Sequence, residues 1–300
     1  MKFGLVGNLQ KKELPSVIRN LLLRVPGNSV EFLVASPLAK IVSRGGGKQD
    51  LKRTRVVSEG RLLAESDIII SLGGDGTILE TARLVAVHET PILGINLGKL
   101  GFLAEVSLDE IESCFDDVLH GRFKVEDRMM LQAGSSSMKK PFMALNDVVL
   151  EKHGASRVMT IEVEVNGEYL ATYSADGIIV STPTGSTAYS LANGGPIVTP
   201  ENNAITISPI CPHTLTARPV IVPGESVIAV TVIAAARNVH MTADGQQEKL
   251  FSPPVTVTIQ RAPFVAKLVK RFNTSYYDVL RKKLNWGSDV RLGGRRERGK

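Results

Sequence analysis

The sequence predicts an α/β N-terminal domain with an open, mostly parallel sheet, followed by a mostly antiparallel, β-rich C-terminal domain. Three observations carry this prediction. Strand and helix signals alternate through residues 1–125, as they do where helices cover both faces of a parallel sheet. Beyond residue 125 short period-two segments separated by Pro and Gly take over, the pattern of antiparallel strands. The run Gly73-Gly74-Asp75-Gly76-Thr77 falls between a buried strand and a helix, where open α/β sheets place their ligands.

In chain order, Phe3–Val6 is a short apolar strand running into a Gly7-Asn8 turn, and Val30–Val34 is a second. Asp67–Leu72 is β-branched and apolar on both faces, as a central parallel strand is, and Pro91–Asn96 is a fourth. Between these two, Ile78, Ala82 and Val85 recur at helical spacing within Thr77–Val87. Ser107 with Glu110 forms a capping box for the next helix, which carries Ile111, Phe115, Val118 and Leu119 on its apolar stripe, and Gly121 suits its end. In the second domain Met159, Ile161, Val163 and Val165 alternate with polar residues. Asn166-Gly167 then turns the chain, and Tyr169, Ala171 and Tyr173 continue the alternation. Further short strands are read at Ile205–Ile210, Val220–Val222, Val227–Ile233, Val239–Thr242 and Val255–Ile259. The boundaries expected are 1–125 for the α/β domain, 126–270 for the β-rich domain, and 271–300 for a helix at Tyr276–Leu284, able to return to the first domain, plus a basic tail.

Composition narrows the function. With 300 residues, 43% of them hydrophobic and 22% charged, the chain buries a substantial core. The cysteines Cys114 and Cys211 suit a reducing compartment and form no metal cluster. The longest apolar stretch, Val227–Ala236, is too short to span a bilayer, and Met1–Gln10 lacks the long apolar region of a signal peptide. A cytoplasmic protein without membrane partners is expected. Of the net charge of +6, residues 287–300 contribute +3, five basic residues against two acidic, so the charge is concentrated in a terminal Gly/Arg tail and nucleic-acid binding is not expected.

The glycine loop is the densest chemical signal. Gly73, Gly74 and Gly76 let backbone amides approach a phosphate, and the helix opening at Thr77 adds donors and a favourable dipole. A tight turn with Asp75 as helix cap is the plain alternative, but one glycine would satisfy it. A carboxylate beside phosphates is repelled unless it binds their metal ion or accepts a proton from an attacking hydroxyl, and both roles point to phosphoryl transfer. Gly45-Gly46-Gly47-Lys48 lacks the upstream glycine of a Walker loop and reads as a loop. No G-x-G-x-x-G follows the first strand, which disfavours a dehydrogenase. From Asp176 a strand runs into Thr182-Pro183-Thr184-Gly185-Ser186-Thr187-Ala188-Tyr189-Ser190, where hydroxyls and amides suit ribose and amide groups and Tyr189 offers a flat face to a base. Asn146-Asp147, before Val148-Val149-Leu150, reads by itself as a turn.

Together these segments resemble the NAD kinase family over most of the chain. The resemblance runs through Gly73–Thr77, Gly94–Leu103, Asn146-Asp147, Asp176–Pro196, Thr216–Pro219 and Asp244-Gly245-Gln246. The Asp176–Pro196 block makes it specific, since lipid kinases share the acidic loop. It implies transfer of a phosphate to the adenosine-ribose 2′-hydroxyl of NAD, in a site in the cleft between an α/β and a β-rich domain, in a homodimer or homotetramer. By resemblance, Asp75 accepts the hydroxyl proton or orients the hydroxyl as the proton leaves, and Gly76 packs against the dinucleotide. Asn146 and Asp147 hold the adenosine ribose, and Asp176 recognises the nicotinamide end. Thr187, Ala188, Tyr189, Ser190, Leu191 and Ala192 line the adenine and neighbouring groups. Gln246 is a further contact, and Arg157 stands near the phosphates. Some bacterial relatives carry arginine two residues before the aspartate that matches Asp176. Here Ser174 occupies that substrate-facing position, leaving the phosphate contact missing or supplied elsewhere and the preference between NAD and NADH open. The donor, ATP, another nucleoside triphosphate or polyphosphate, would come with Mg²⁺ or another divalent metal. The competing readings are a lipid or sphingoid-base kinase and a non-catalytic NADP sensor.

Overall fold

Short apolar strands early in the chain pair side by side in parallel, and the order in which they pair decides where a ligand can sit. The computed structural model describes residues 1–25, 30–45, 53–98, 101–104, 106–154, 158–235, 238–272 and 275–286. The chain divides into two units, Met1–Ile78 with Ile92–Glu126 and Val269–Lys300, and Leu79–Pro91 with Asp127–Leu268.

The chain runs β1 (Lys2–Gly7), α1 (Leu14–Arg24), β2 (Glu31–Ala35), α2 (Ser36–Gly45), β3 (Thr54–Val57), α3 (Glu59–Glu65), β4 (Ile68–Gly73), α4 (Asp75–Val85), β5 (Ile92–Asn96) and α5 (Ile111–Leu119). In the first unit the strands lie in the order β3-β2-β1-β4-β5, parallel throughout. The order reverses between β1 and β4, which makes their carboxyl ends the topological switch point. There Gly7 stands opposite Leu72, and the Asn8 N–H reaches the Leu72 carbonyl at 3.3 Å. One face of the sheet is sealed by α1 and α5. Phe115 meets Phe3 edge-on at 5.3 Å between ring centres, and Phe3 stacks on Phe32 at 5.9 Å. All three rings are fully buried, so truncating one to alanine would cost about 3–5 kcal/mol. Cys114 also lies in this core, where burial pushes its thiol up to about 11. At the start of α5 the Glu110 carboxylate accepts from both the N–H and the hydroxyl of Ser107, as the capping pattern predicts.

The chain continues through β6 (Lys124–Gly134), β7 (Phe142–Ala144), β8 (Asp147–Lys152), β9 (Met159–Val165), β10 (Glu168–Ala175), β11 (Gly177–Ser181), α6 (Tyr189–Ala192), β12 (Ala204–Ile210), β13 (Val220–Pro223), β14 (Ile228–Ala234), β15 (Val239–Ala243), β16 (Gln247–Phe251), β17 (Val255–Lys270) and α7 (Tyr276–Leu284). In the second unit one antiparallel array pairs β10-β9-β14-β17. A second runs β13-β12-β11-β8-β15-β16, antiparallel at every pairing. Their inward residues, among them Ile161, Val163 and Val230 from one and Leu150, Ile178 and Met241 from the other, form a single apolar core. Asn166 and Gly167 take φ of 55° and 80°, the primed turn that an Asn-Gly hairpin requires. Cys211 is an exposed free thiol at φ 44°.

Parallel α/β and antiparallel β-rich architectures are both present as the sequence predicts, and α7 matches its expected bounds. Three details differ. The helix after the glycine loop starts two residues earlier than Thr77 and ends at Val85, leaving Val87 exposed. The last strand continues well past Ile259 to Lys270, and the sequence pattern sets no bounds for α1, α2, α3, α6, β3, β6, β7 and β16. Arg157, residues 46–48 of the second glycine run and the 287–300 tail lie outside the described residues.

Candidate functional site

In the first unit the glycine loop sits at the carboxyl end of β4, at the switch point. Each glycine there answers a different demand. A β-carbon on Gly73 would collide with the Thr77 hydroxyl, so that position is glycine for packing. Gly74 has nothing within 4 Å of where its β-carbon would be, and its φ is not in the left-handed region. Neither packing nor backbone conformation therefore requires a glycine at 74, whereas close approach of a ligand would. Gly76 is exposed, and the Thr77 N–H closes the turn on the Gly74 carbonyl at 3.0 Å.

Asp75 does not cap its own helix. Its carboxylate turns to the segment after β5 and accepts three successive amides: Phe102 at 2.7 Å on Oδ2, and Leu103 and Ala104 at 3.0 and 3.1 Å on Oδ1. The same segment is pinned to the loop where the Leu97 N–H meets the Gly73 carbonyl at 3.2 Å and Asn96 Oδ1 accepts from Gly98 at 2.8 Å. Residues 73–77, 96–98 and 101–104, separate in sequence, thus build one structure around Asp75.

In the second unit Asn146, Asp147, Ala188 and Tyr189 come together around a cavity of about 370 Å³. Pairing of β8 with β11 and β15 sets this out: Asp147, Val149 and Glu151 share one face by strand alternation, with Ser181 opposite Asp147 and Thr242 opposite Val149. Asp147 is only 5% exposed and accepts the Tyr189 N–H. Burial, reinforced by the neighbouring Asp244 charge, pushes its carboxyl up to about 7. The hydroxyls of the Thr182–Thr187 turn hold its shape instead of standing free. Thr182 donates to the Leu145 carbonyl at 2.6 Å and accepts from Gly185 at 3.0 Å, Ser186 accepts the Val198 N–H at 2.9 Å, and Thr187 donates to the Thr184 carbonyl at 3.2 Å. Thr182, by its hydroxyl and by its N–H on the Asn146 carbonyl at 2.9 Å, staples the turn to the backbone at 145–146, and Ala188 and Tyr189 stand on the cavity wall.

Other predicted residues lie away from that wall. Asp176 pairs with Lys152 at 2.6 Å. Ser174 is exposed on β10, Ser190 is fully buried, Leu191 is half-buried, and Gln246 is exposed in the β15–β16 turn. Ala192 lines a separate cavity with Cys211. The sequence reading assigned no role to Val149, Glu151, Thr242, Asp244 or Gly245, which the cavity also uses. For Val149 and Glu151 the period-two register from Asp147 was the available signal. Arg83 was also missed; its Nη1 lies 3.8 Å from Asp244 Oδ2.

An acidic glycine loop at the switch point of a parallel sheet, in a chain that also forms a buried-carboxylate cavity in a β unit, defines a phosphoryl-transferring enzyme that works on nucleotides. Residues 3–123 match the ATP-NAD kinase N-terminal domain and residues 145–271 the ATP-NAD kinase C-terminal domain. The chain is 40% identical over 288 residues to an NAD kinase of Moorella thermoacetica, covering 95% of this chain and 90% of that one. It is 44% identical over 273 residues to an NAD kinase of Geobacter sp. strain M21, covering 88% and 94%. Among solved structures, yeast NADH kinase complexed with NADH aligns with a TM-score of 0.88 at 25% identity, over 98% of this chain and 90% of that one. An NAD kinase from Archaeoglobus fulgidus in complex with ATP aligns with a TM-score of 0.71 at 26% identity, over 95% and 99%. The chain belongs to the NAD kinase family.

Proposed function

We propose that this enzyme phosphorylates the 2′-hydroxyl of the adenosine ribose of NAD to give NADP, with ATP or polyphosphate as donor and Asp75 as the group that receives or orients the hydroxyl proton. The observation that carries this reading is the clamp of three amides on the Asp75 carboxylate. A proton acceptor for in-line transfer must be held in one orientation before the hydroxyl arrives, and three successive donors do that. Gly74 and Gly76 leave space for phosphates beside it, and Asn146, Asp147, Ala188 and Tyr189 supply a wall for the adenosine. The binding of NAD and ATP is supported by the ligands of the structural relatives, NADH and ATP.

Among the described residues no group of three or more His, Cys, Asp and Glu side chains is arranged to hold a metal. A divalent ion such as Mg²⁺ fits as an ion that arrives with the donor, held mainly by its phosphates, and it supplies neutralisation of their charge. Both free thiols accord with a cytoplasmic enzyme. Among the described residues no helix is long and apolar enough to cross a membrane. A homodimer or homotetramer is the expected assembly from the family.

The test is NADP formation from NAD, ATP and Mg²⁺ by the purified protein and by Asp75→Asn. The variant is expected to lose about 10²–10⁴ in rate. Near-normal turnover in that variant would remove Asp75 from its role, and NAD binding without turnover by wild type on any donor would make the protein a nucleotide sensor.

A further inference from the structure

Asp244 is wholly buried at the side chain and stands in the β15–β16 turn, where Asp244 and Gly245 take φ of 53° and 61°. Left-handed hairpin turns of this kind accept asparagine at least as readily as aspartate, so conformation alone does not call for a carboxylate. The hydrogen bonds do. Oδ2 accepts the Leu145 N–H at 2.9 Å, and Oδ1 accepts those of Asn146 and Asp147 at 2.8 and 3.2 Å. Three donors need two accepting oxygens, which an amide side chain lacks. The backbone reciprocates, since the Asp244 N–H donates to the Asp147 carbonyl at 2.9 Å. Behind the carboxylate, Arg83 on α4 brings Nη1 to 3.8 Å from Oδ2, its side chain only 15% exposed.

We infer that Asp244, backed by Arg83, is a positioning residue that fixes the Asn146–Asp147 backbone and thereby the side chains offered to the ribose. The inference rests on the proposed role of Asn146 and Asp147 in binding NAD. Asp244 does not touch the reacting atoms; it acts through the three amides. Its charge also bears on Asp147. The cavity that holds that carboxyl is also lined by Asp244 from the β15–β16 turn, Glu151 farther along β8 and Tyr189 from α6, and Arg83 from α4 lies against Asp244. Burial raises both carboxyls; three amides and Arg83 offset the rise at Asp244, whereas at Asp147 the neighbouring Asp244 charge adds to it.

Asp244→Asn keeps the shape and one accepting oxygen but removes the charge. In the full-length enzyme it is expected to raise KM for NAD about tenfold, the loss typical of a charge-assisted hydrogen bond, with a smaller change in kcat. In a carbon-13 NMR titration the Asp147 carboxyl midpoint is expected to move down. Arg83→Gln should raise KM in the same direction by less. If Asp244→Asn melts lower but keeps the wild-type KM and the wild-type Asp147 midpoint, Asp244 is only structural and the inference is overturned. Should Asp244→Asn fail to fold, Arg83→Gln decides by the same two readouts. If wild type makes no NADP, the proposed function fails, yet a shift of the Asp147 midpoint would still establish Asp244's hold on that carboxyl.

Discussion

The Asp75 carboxylate occupies the space where a β-carbon on Gly101 would be. The two residues are far apart in sequence, and this contact explains why the loop after β5 is glycine at that point: the chain must pass close enough for Phe102, Leu103 and Ala104 to present their amides.

Gly101→Ala should therefore act on chemistry more than on folding. The added methyl displaces the carboxylate from its three donors, and turnover is expected to fall by about 10² or more, approaching the Asp75→Asn variant. Steady-state NADP formation beside a thermal melt checks this; a normal rate would mean that the clamp is dispensable.

Asp147 predicts a pH dependence of stability. Its carboxyl is raised by burial to about 7, from an unfolded value near 4. Between those values the folded protein keeps a proton that the unfolded chain releases, so this group's contribution is fully present below about pH 4 and is lost as pH rises through 7. At about 1.4 kcal/mol per pH unit the loss is on the order of a few kcal/mol. Denaturant unfolding at pH 5 and pH 8 should reveal it, and Asp147→Asn should flatten that part of the profile.

A β-carbon on Gly185 would collide with the carbonyl oxygen of Asn146. Gly185→Ala must push the hydroxyl-rich turn off the 145–146 backbone, a strain of about 1–3 kcal/mol that lowers Tm by several degrees. NAD affinity, measured by calorimetry, should fall with it, because Ala188 and Tyr189 move together with the turn.

The Lys152–Asp176 pair is partly exposed, at 28% and 33% of the two side chains. Lys152→Met should change stability by less than about 1 kcal/mol, since water screens such pairs. The released Asp176 carboxylate should instead raise KM for NAD. An unchanged KM would leave the pair as surface decoration.

The parts of this molecule that were legible in the sequence are those written in consecutive residues. The buried run before Gly73, the Ser107–Glu110 cap, the Asn166-Gly167 turn and the Tyr276–Leu284 helix each carry a local signal that tertiary packing does not overrule. The last strand runs on past Ile259 through Pro263, which has no N–H for a ladder; the β14 ladder pairs only with Val255–Ile259, so that missing donor costs nothing on that side. The start of α1 lacked a side-chain cap, and β3 is a partly exposed four-residue strand with Arg55 at its centre, so neither stood out. At the site, the glycine loop and the Asp176–Pro196 block were conspicuous. Asp244 stands in the resemblance only as part of Asp244-Gly245-Gln246, without a role, because its importance lies in three amides about a hundred residues upstream, and no local pattern encodes that pairing.

The two thiols give the enzyme a built-in gauge of its own opening. Cys211 is accessible to a thiol reagent in the native state, whereas Cys114, on the buried face of α5, is shut inside the first unit with its reactive thiolate suppressed. Labelling should proceed in two phases: a prompt one at Cys211, and a slow one whose rate counts how often α5 lifts from its sheet. Mass spectrometry of the slow phase, with and without nucleotide, would read the local breathing of that unit without any engineered probe.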